Sequence, residues 1–326
     1  MNSNLNVQKK NNKQSKIDNY RWDAIEWKGL ICNLISSLPK VDQWILNHNI
    51  DQTVALNNFG KLSLEASKYL LLTNYNAFFH DNLLLRHANF RKKDITSLQN
   101  HKRFKSLKER INGDETSIIK KFKNKVIIHY CVHFTSIAKK LFFETFKKNL
   151  IYIQIIRSPI SLPMIKRIAE WSINIEKVKS RDGYIKYFDK KNKKNIPYFL
   201  IKKSKEYLSA NKYEKAIIII ANNLNKETIN LKKFHKKFKS TEIIIPFENL
   251  LKNPIKYLNR ISTSLNVKVD KFTFKSIKEN DLPRELDYDK ERQNSLKFLK
   301  KIIRKKYFLK LLELEKFYLN NVIKKY

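Results

Sequence analysis

Glycine is nearly absent: 4 occur in 326 residues. That scarcity leaves no Gly-x-Gly-x-x-Gly turn and no glycine-rich loop ending in Lys and Ser or Thr, so neither a dinucleotide turn nor a nucleoside-triphosphate loop is present. Cysteine is equally sparse. Cys32 and Cys131 lie in apolar contexts and share no metal-ligand spacing, which excludes a disulfide framework and a zinc site and fits a reduced cytosol. No apolar run approaches the ~18–20 residues of a membrane span. Residues 1–19 are polar and rich in Asn and Lys, without the apolar stretch of a secretory signal. The expectation is a soluble, cytoplasmic protein with no metal. Acidic residues are few as well, with 30 Asp plus Glu against 68 Lys plus Arg and a net charge of +38.

A field of that size attracts polyanions, acidic glycans or anionic lipid headgroups, and the charge alone does not choose among them. Only twelve of the cations are Arg, and the Lys, Asn and Ile excess also fits an A+T-rich genome. What remains is 42% hydrophobic and 12% aromatic, enough for a substantial core. No internal repeat or Pro/Gly-rich linker divides the chain. It reads as a disordered polar tail, 1–19, followed by a single domain, 20–326.

Helical spacing over Trp22 to Leu46 predicts a helix broken at Pro39. A second helix is expected over Leu62 to Leu85, and a basic, loop-prone stretch over Phe90 to Arg110. Val126, Ile127 and Ile128 read as a strand, Ser136 to Lys148 as a helix, and residues 150–156 as the next strand, a βαβ order that implies a parallel sheet. Ile165 to Val178 is helical, Ser180 to Asn195 a charged loop, Tyr198 to Asn223 a helix, and Leu231 to Lys239 a separate amphipathic helix covering the sheet. Leu296 to Val322 reads as one long basic helix.

Two segments carry the chemistry. In Asn149 to Pro159, the run Leu150, Ile151, Ile153, Ile155, Ile156 needs a strand covered on both faces. Pro159 ends the strand and leaves Arg157 at its carboxyl end, where open α/β sheets collect ligands. A guanidinium there suits a phosphate. In Glu242 to Pro254, a β-branched run leads through Pro246, Phe247 and Glu248 to a helix capped by Asn253 with Pro254 at its first position. Glu248, at the corner, fits bracing of backbone amides better than acid/base work. Trp171 reads as core, and the acidic stretch Asp281 to Asp289 has no calcium-loop spacing.

Arg157-Ser158-Pro159 and Phe247-Glu248-Asn249-Leu250 with Pro254 resemble the two core motifs of the sulfotransferase family, over roughly Lys125 to Val267. The resemblance implies a P-loop kinase-like, three-layer α/β sandwich with a central, mostly parallel sheet flanked by helices. It also implies transfer of a sulfuryl group from 3′-phosphoadenosine 5′-phosphosulfate to a hydroxyl of a glycan or other small acceptor. Arg157 would hold the 3′-phosphate. A histidine before the Arg-bearing strand would be the general base: His133 first, His129 second, with a locally hydrogen-bonded histidine as the bland alternative for either.

Two features depart from the family's pattern. Its amino-terminal cofactor loop carries Ser, Gly and Thr at a helix start. Here only Lys28 and Gly29 in Trp27-Lys28-Gly29-Leu30 are comparable, and an ordinary helix start reads equally well. The hydroxyl expected eight residues after Arg157 is Ile165, leaving Ser161 or Ser158 as substitutes. The alternatives are therefore an inactive protein of the same fold, or a basic protein binding anionic glycan or, less favoured, nucleic acid. Peripheral contact with an anionic membrane also stays open.

Overall fold

The computed structural model describes residues 26–94, 96–123, 125–131, 135–177, 186–238 and 241–326. The expected tail, 1–19, lies outside the described residues. In chain order the elements are α1 (Glu26–Ser36), β1 (Ile45–Leu46), α2 (His48–Asn58), α3 (Leu64–Leu83), α4 (Phe104–Asn112), α5 (Glu115–Phe122), β2 (Tyr130–Cys131), α6 (Thr135–Phe146) and β3 (Tyr152–Ile156). There follow α7 (Leu162–Glu176), β4 (Lys186–Asp189), β5 (Lys194–Pro197), α8 (Ser204–Leu208), α9 (Lys212–Phe238) and β6 (Glu242–Pro246). The chain closes with α10 (Phe247–Lys252), α11 (Pro254–Ser264), α12 (Lys271–Glu279), α13 (Tyr288–Ile302) and α14 (Lys305–Tyr318).

The architecture is mixed α/β, with helix dominant. Strands β3 and β6 run parallel, in register from Tyr152 opposite Glu242 to Ile156 opposite Pro246. Strand β1 pairs β2, also in parallel, and a further parallel bridge joins Val41 to Ile127. The strand expected over 126–128 is reduced to the bridge at Ile127, and the two-residue β2 follows it at Tyr130–Cys131; β2, α6 and β3 then come in the expected order, but among the described residues β2 and β3 take different hydrogen-bonded partners.

Because side chains alternate across a strand, β6 feeds two cores. Ile244 joins Ile156 and the apolar faces of α7, α9 and α14. Ile243 and Ile245 join α1, α10, α11 and α12. Full burial of such a side chain stabilises by roughly 1.5–3 kcal/mol, so a one-residue slip of β6 would exchange its faces between two differently shaped cores. A third cluster ties α2, α3 and α6 to Tyr152 of β3. Both cysteines are free and buried.

Several expected elements differ. Residues 90–110 are not all loop: α4 starts at Phe104 and is fixed by Arg110, which grips Asp42 with two bonds of 2.7 and 2.9 Å and the carbonyls of Leu83 and Asn82. The charged loop up to Asn195 contains the antiparallel pair β4–β5. Residues 198–203 form a 3₁₀ helix, α8 follows over Ser204–Leu208, and the long helix α9 begins only at Lys212 and runs to Phe238. The separate helix expected over 231–239 is thus the end of α9. Nor is 296–322 one helix. It breaks at Arg304, whose backbone N–H donates to Glu214 at 2.9 Å.

Scarce glycine has a local consequence. Left-handed backbone is supplied by Lys40, Leu85, Lys147, Lys193, Asn266 and Asp281, with φ between 49° and 66°, and only Asn and Asp among them accept that conformation readily.

Candidate anion site at the strand ends

Strands β3 and β6 end side by side, at Ile156 and Pro246. The chain beyond β3 turns through Arg157, Ser158 and Pro159 into α7, and the chain beyond β6 enters α10 directly. Glu248, in the first turn of α10, reaches across the gap: its Oε1 accepts from the Ser158 amide at 3.0 Å and its Oε2 from the Tyr318 hydroxyl of α14. The corner glutamate therefore braces backbone, as its position implied. Burial pushes its carboxyl above the usual range, against the lowering effects of Tyr318, the Ser158 amide and nearby Arg157.

The C-terminal helices complete the rim. At the start of α13, Tyr288 places its hydroxyl 3.2 Å from Ser158 Oγ and donates to Glu315 of α14 at 3.2 Å. Burial first, and then Glu315, push that phenol up to about 12. Arg292 clamps Glu315 with bonds of 2.6 and 3.0 Å. One turn into α13, Glu291 accepts from Ser161 Oγ at 3.1 Å and lies 3.9 Å from the Arg157 guanidinium.

Arg157 is the least satisfied group in this cluster. Its side chain is 15% exposed, it lies 4.8 Å from the Phe247 ring centre, and its Nε is buried without a partner. Among the described residues it donates no hydrogen bond; its contacts are the long ion pair to Glu291 and the face of Phe247. Burial disfavours its charge while Glu248 and Glu291 support it, and a guanidinium stays protonated under such conditions. A buried guanidinium with unused donors is uncommon in a folded chain.

The other expected site residues are placed as follows. Ser161 precedes α7 and, with its hydroxyl on Glu291, makes no cap bond. Ile165 is fully buried in the core and cannot face a ligand. Lys28 and Gly29 lie within α1 rather than in a loop, and Gly29 is buried. His129 pairs through its backbone carbonyl with Ile45 N at 3.0 Å, and its Nδ1 is buried without a partner. Burial takes its imidazole down to about 4. His133 lies outside the described residues. Glu291 thus brings Arg157 and Ser161 to one oxygen, with Ser158 next to Arg157 in the chain, and no hydrogen bond or ion pair among the described residues links His129 to them.

Tyr288, Glu291, Arg292, Glu315 and Tyr318 were not legible as site residues. They come from a segment more than a hundred residues downstream, and their only sequence signal is the neighbouring acidic stretch that opens α13. Among the described residues no cluster of His, Cys, Asp and Glu could hold a metal, and no helix is long and apolar enough to cross a membrane. The chain matches no family model, no curated protein and no solved structure.

Proposed function

We propose that the cleft at the ends of β3 and β6 binds the phosphate of a nucleotide, and that the protein is sulfotransferase-like, using 3′-phosphoadenosine 5′-phosphosulfate. The observation that carries this reading is the buried Arg157, without a hydrogen bond, beside a serine hydroxyl at the carboxyl end of a parallel strand. Helices packed on both faces of β3 and β6 support the finer expectation of a three-layer sandwich.

In this reading Arg157 offers its planar fork to the 3′-phosphate, and Ser161 donates a second bond in place of the missing hydroxyl at Ile165. Glu291 occupies that position in the chain itself. The cleft next to Arg157, lined by Ser158, Ser161, Tyr288 and Glu291 but not by Arg157 itself, has only about 10 Å³ free, room for roughly one water. The start of α13 must therefore withdraw before a phosphate fits. Lys28 and Gly29, which the resemblance assigns to the 5′ end, lie within α1 rather than in a cofactor loop. The cofactor, once bound, supplies an activated sulfuryl group. His133 takes the proton from the acceptor hydroxyl, since His129, with an imidazole near 4, is a weak base at neutral pH. The acceptor class is a glycan or another small hydroxylated molecule, and the reaction would depend on positioning and on cations around the developing charge.

Calorimetric titration with adenosine 3′,5′-bisphosphate at moderate salt, beside AMP, tests the reading. Selective binding that disappears in Arg157→Ala, with the fold intact, supports it; equal binding by the variant overturns it. Weak binding of every anion, erased by salt, would favour the second reading, a non-catalytic basic protein for anionic glycan or nucleic acid, whose supporting observation is the +38 net charge. Nucleotide binding without any transfer would identify an inactive member of the same fold.

A further inference from the structure

A second cavity, sharing no residue with the cleft lined by Ser158, Ser161 and Glu291, opens between the end of α1, the segment before α4, and α12. It has about 240 Å³ of space, less than the roughly 300–1,000 Å³ of drug-sized sites, so its occupant is small. Its lining residues are all of polar type, and two of their side chains are deeply buried with unused hydrogen-bonding groups. His101 is 6% exposed and Ser276 is 1% exposed, and neither His101 Nε2 nor Ser276 Oγ has a partner. Orphaned buried groups of this kind are uncommon and costly.

The donor and acceptor inventory defines the ligand. His101 Nδ1 accepts from the Arg103 amide at 3.1 Å, so a neutral ring carries its proton on Nε2. Burial favours that neutral ring, opposed by Asp42 and by the nearby backbone of Val41 and Ser36, neither of which meets the ring with hydrogen-bond geometry. Ser276 Oγ is both donor and acceptor. Asn100 and Asn280 commit their amide nitrogens to main-chain carbonyls, of Lys92 and Asp94 and of Ser276 respectively, which leaves their oxygens as acceptors. The only charges in the wall, Lys102 and Glu279, pair with each other. No Phe, Tyr or Trp ring lines the cavity, and the one imidazole, His101, is only 6% exposed, so a nucleobase would have little to stack on.

We infer that this cavity is a binding site for a small neutral polyhydroxylated molecule, a single sugar ring or a cyclitol. Hydroxyl groups donate and accept together, and so match a wall that offers His101 Nε2 as a donor, Ser276 Oγ as either, and the Asn100 and Asn280 oxygens as acceptors. A phosphate or carboxylate is disfavoured by the paired lysine and by the acceptor oxygens. The inference stands apart from the nucleotide reading of the Arg157 cleft.

The test is saturation-transfer NMR on the full chain with methyl α-glucoside, methyl α-mannoside, methyl β-galactoside and myo-inositol. Saturable binding of at least one is expected. Ser276→Ala removes a hydroxyl that satisfies nothing in the free protein, so its melting temperature should hold or rise while affinity falls about fivefold. Asn100→Ala, an exposed position, provides a second variant with the same expected direction. Absence of saturable binding across the panel, or binding unchanged in both variants, would overturn the proposal.

Discussion

Glu291 sets its carboxylate 3.9 Å from the Arg157 guanidinium. The same oxygen accepts from Ser161 at 3.1 Å, so the chain's own acid stands where an external anion would take both contacts. If that is its role, Glu291→Ala should raise the affinity for adenosine 3′,5′-bisphosphate about tenfold, roughly one charge-assisted hydrogen bond. Calorimetry on the variant decides it; unchanged or weaker binding would mean that Glu291 holds the site together instead of competing for it.

Glu248 joins three parts of the site: α10, the Ser158 amide and Tyr318. Tyr318→Phe leaves a buried carboxylate oxygen without its donor and should cost about 1–3 kcal/mol in urea unfolding. Glu248→Gln keeps an acceptor for Ser158 and should retain the fold. Should Glu248→Gln bind nucleotide normally yet lose all transfer, the bracing role would be incomplete and acid/base work would have to be reconsidered.

How much of this was legible depended on whether the signal was local. The caps were local: Asn253 accepts from the Lys256 amide at 3.1 Å, with Pro254 at the first helical position, as read. Arg157 at the end of β3 followed from an apolar run and a proline. The start of α9 was local too, but was missed. Asn211 and Glu214 exchange bonds of 3.0 Å in a capping box, an Asn-x-x-Glu signal hidden by the isoleucine run behind it. By contrast α4, fixed by Arg110 on Asp42, and the break at Arg304, fixed by Glu214, depend on partners 68 and 90 residues away. Spacing along the sequence cannot register contacts of that kind, and the α13 rim of the site is of the same sort.

Lys139 of α6 and Glu242 at the start of β6 form an ion pair with both side chains 0% exposed. Removing one partner strands the other in the core, so Lys139→Met should destabilise by about 3–5 kcal/mol. Replacing both with apolar residues of similar volume should recover much of that loss. Denaturant midpoints of the two single variants and the double variant measure the coupling; strictly additive losses would show that the pair does not act as a unit.

Acid sensitivity follows from Glu214 and His129. Burial opposes the Glu214 charge, but the Arg304 side chain and the Arg304 and Asn211 amides outweigh it and hold the carboxyl at about 2, below its ordinary 4.5. Its stabilisation is thus complete above pH 4.5, on the order of 2–3 kcal/mol, and is lost as pH falls toward 2. His129 is held neutral by burial, from 6.5 down to about 4. Between those values the unfolded chain binds the extra proton, so this contribution too is present at higher pH and is lost on acidification. Urea unfolding at pH 7, 5 and 3 should show stability falling in both windows. His129→Gln should flatten the upper window and Glu214→Gln the lower one, with a lower stability at pH 7 for Glu214→Gln because Arg304 loses its charged partner. A Glu214→Gln profile parallel to the parent below pH 4.5 would show that the clamp on Arg304 does not set the acid limit.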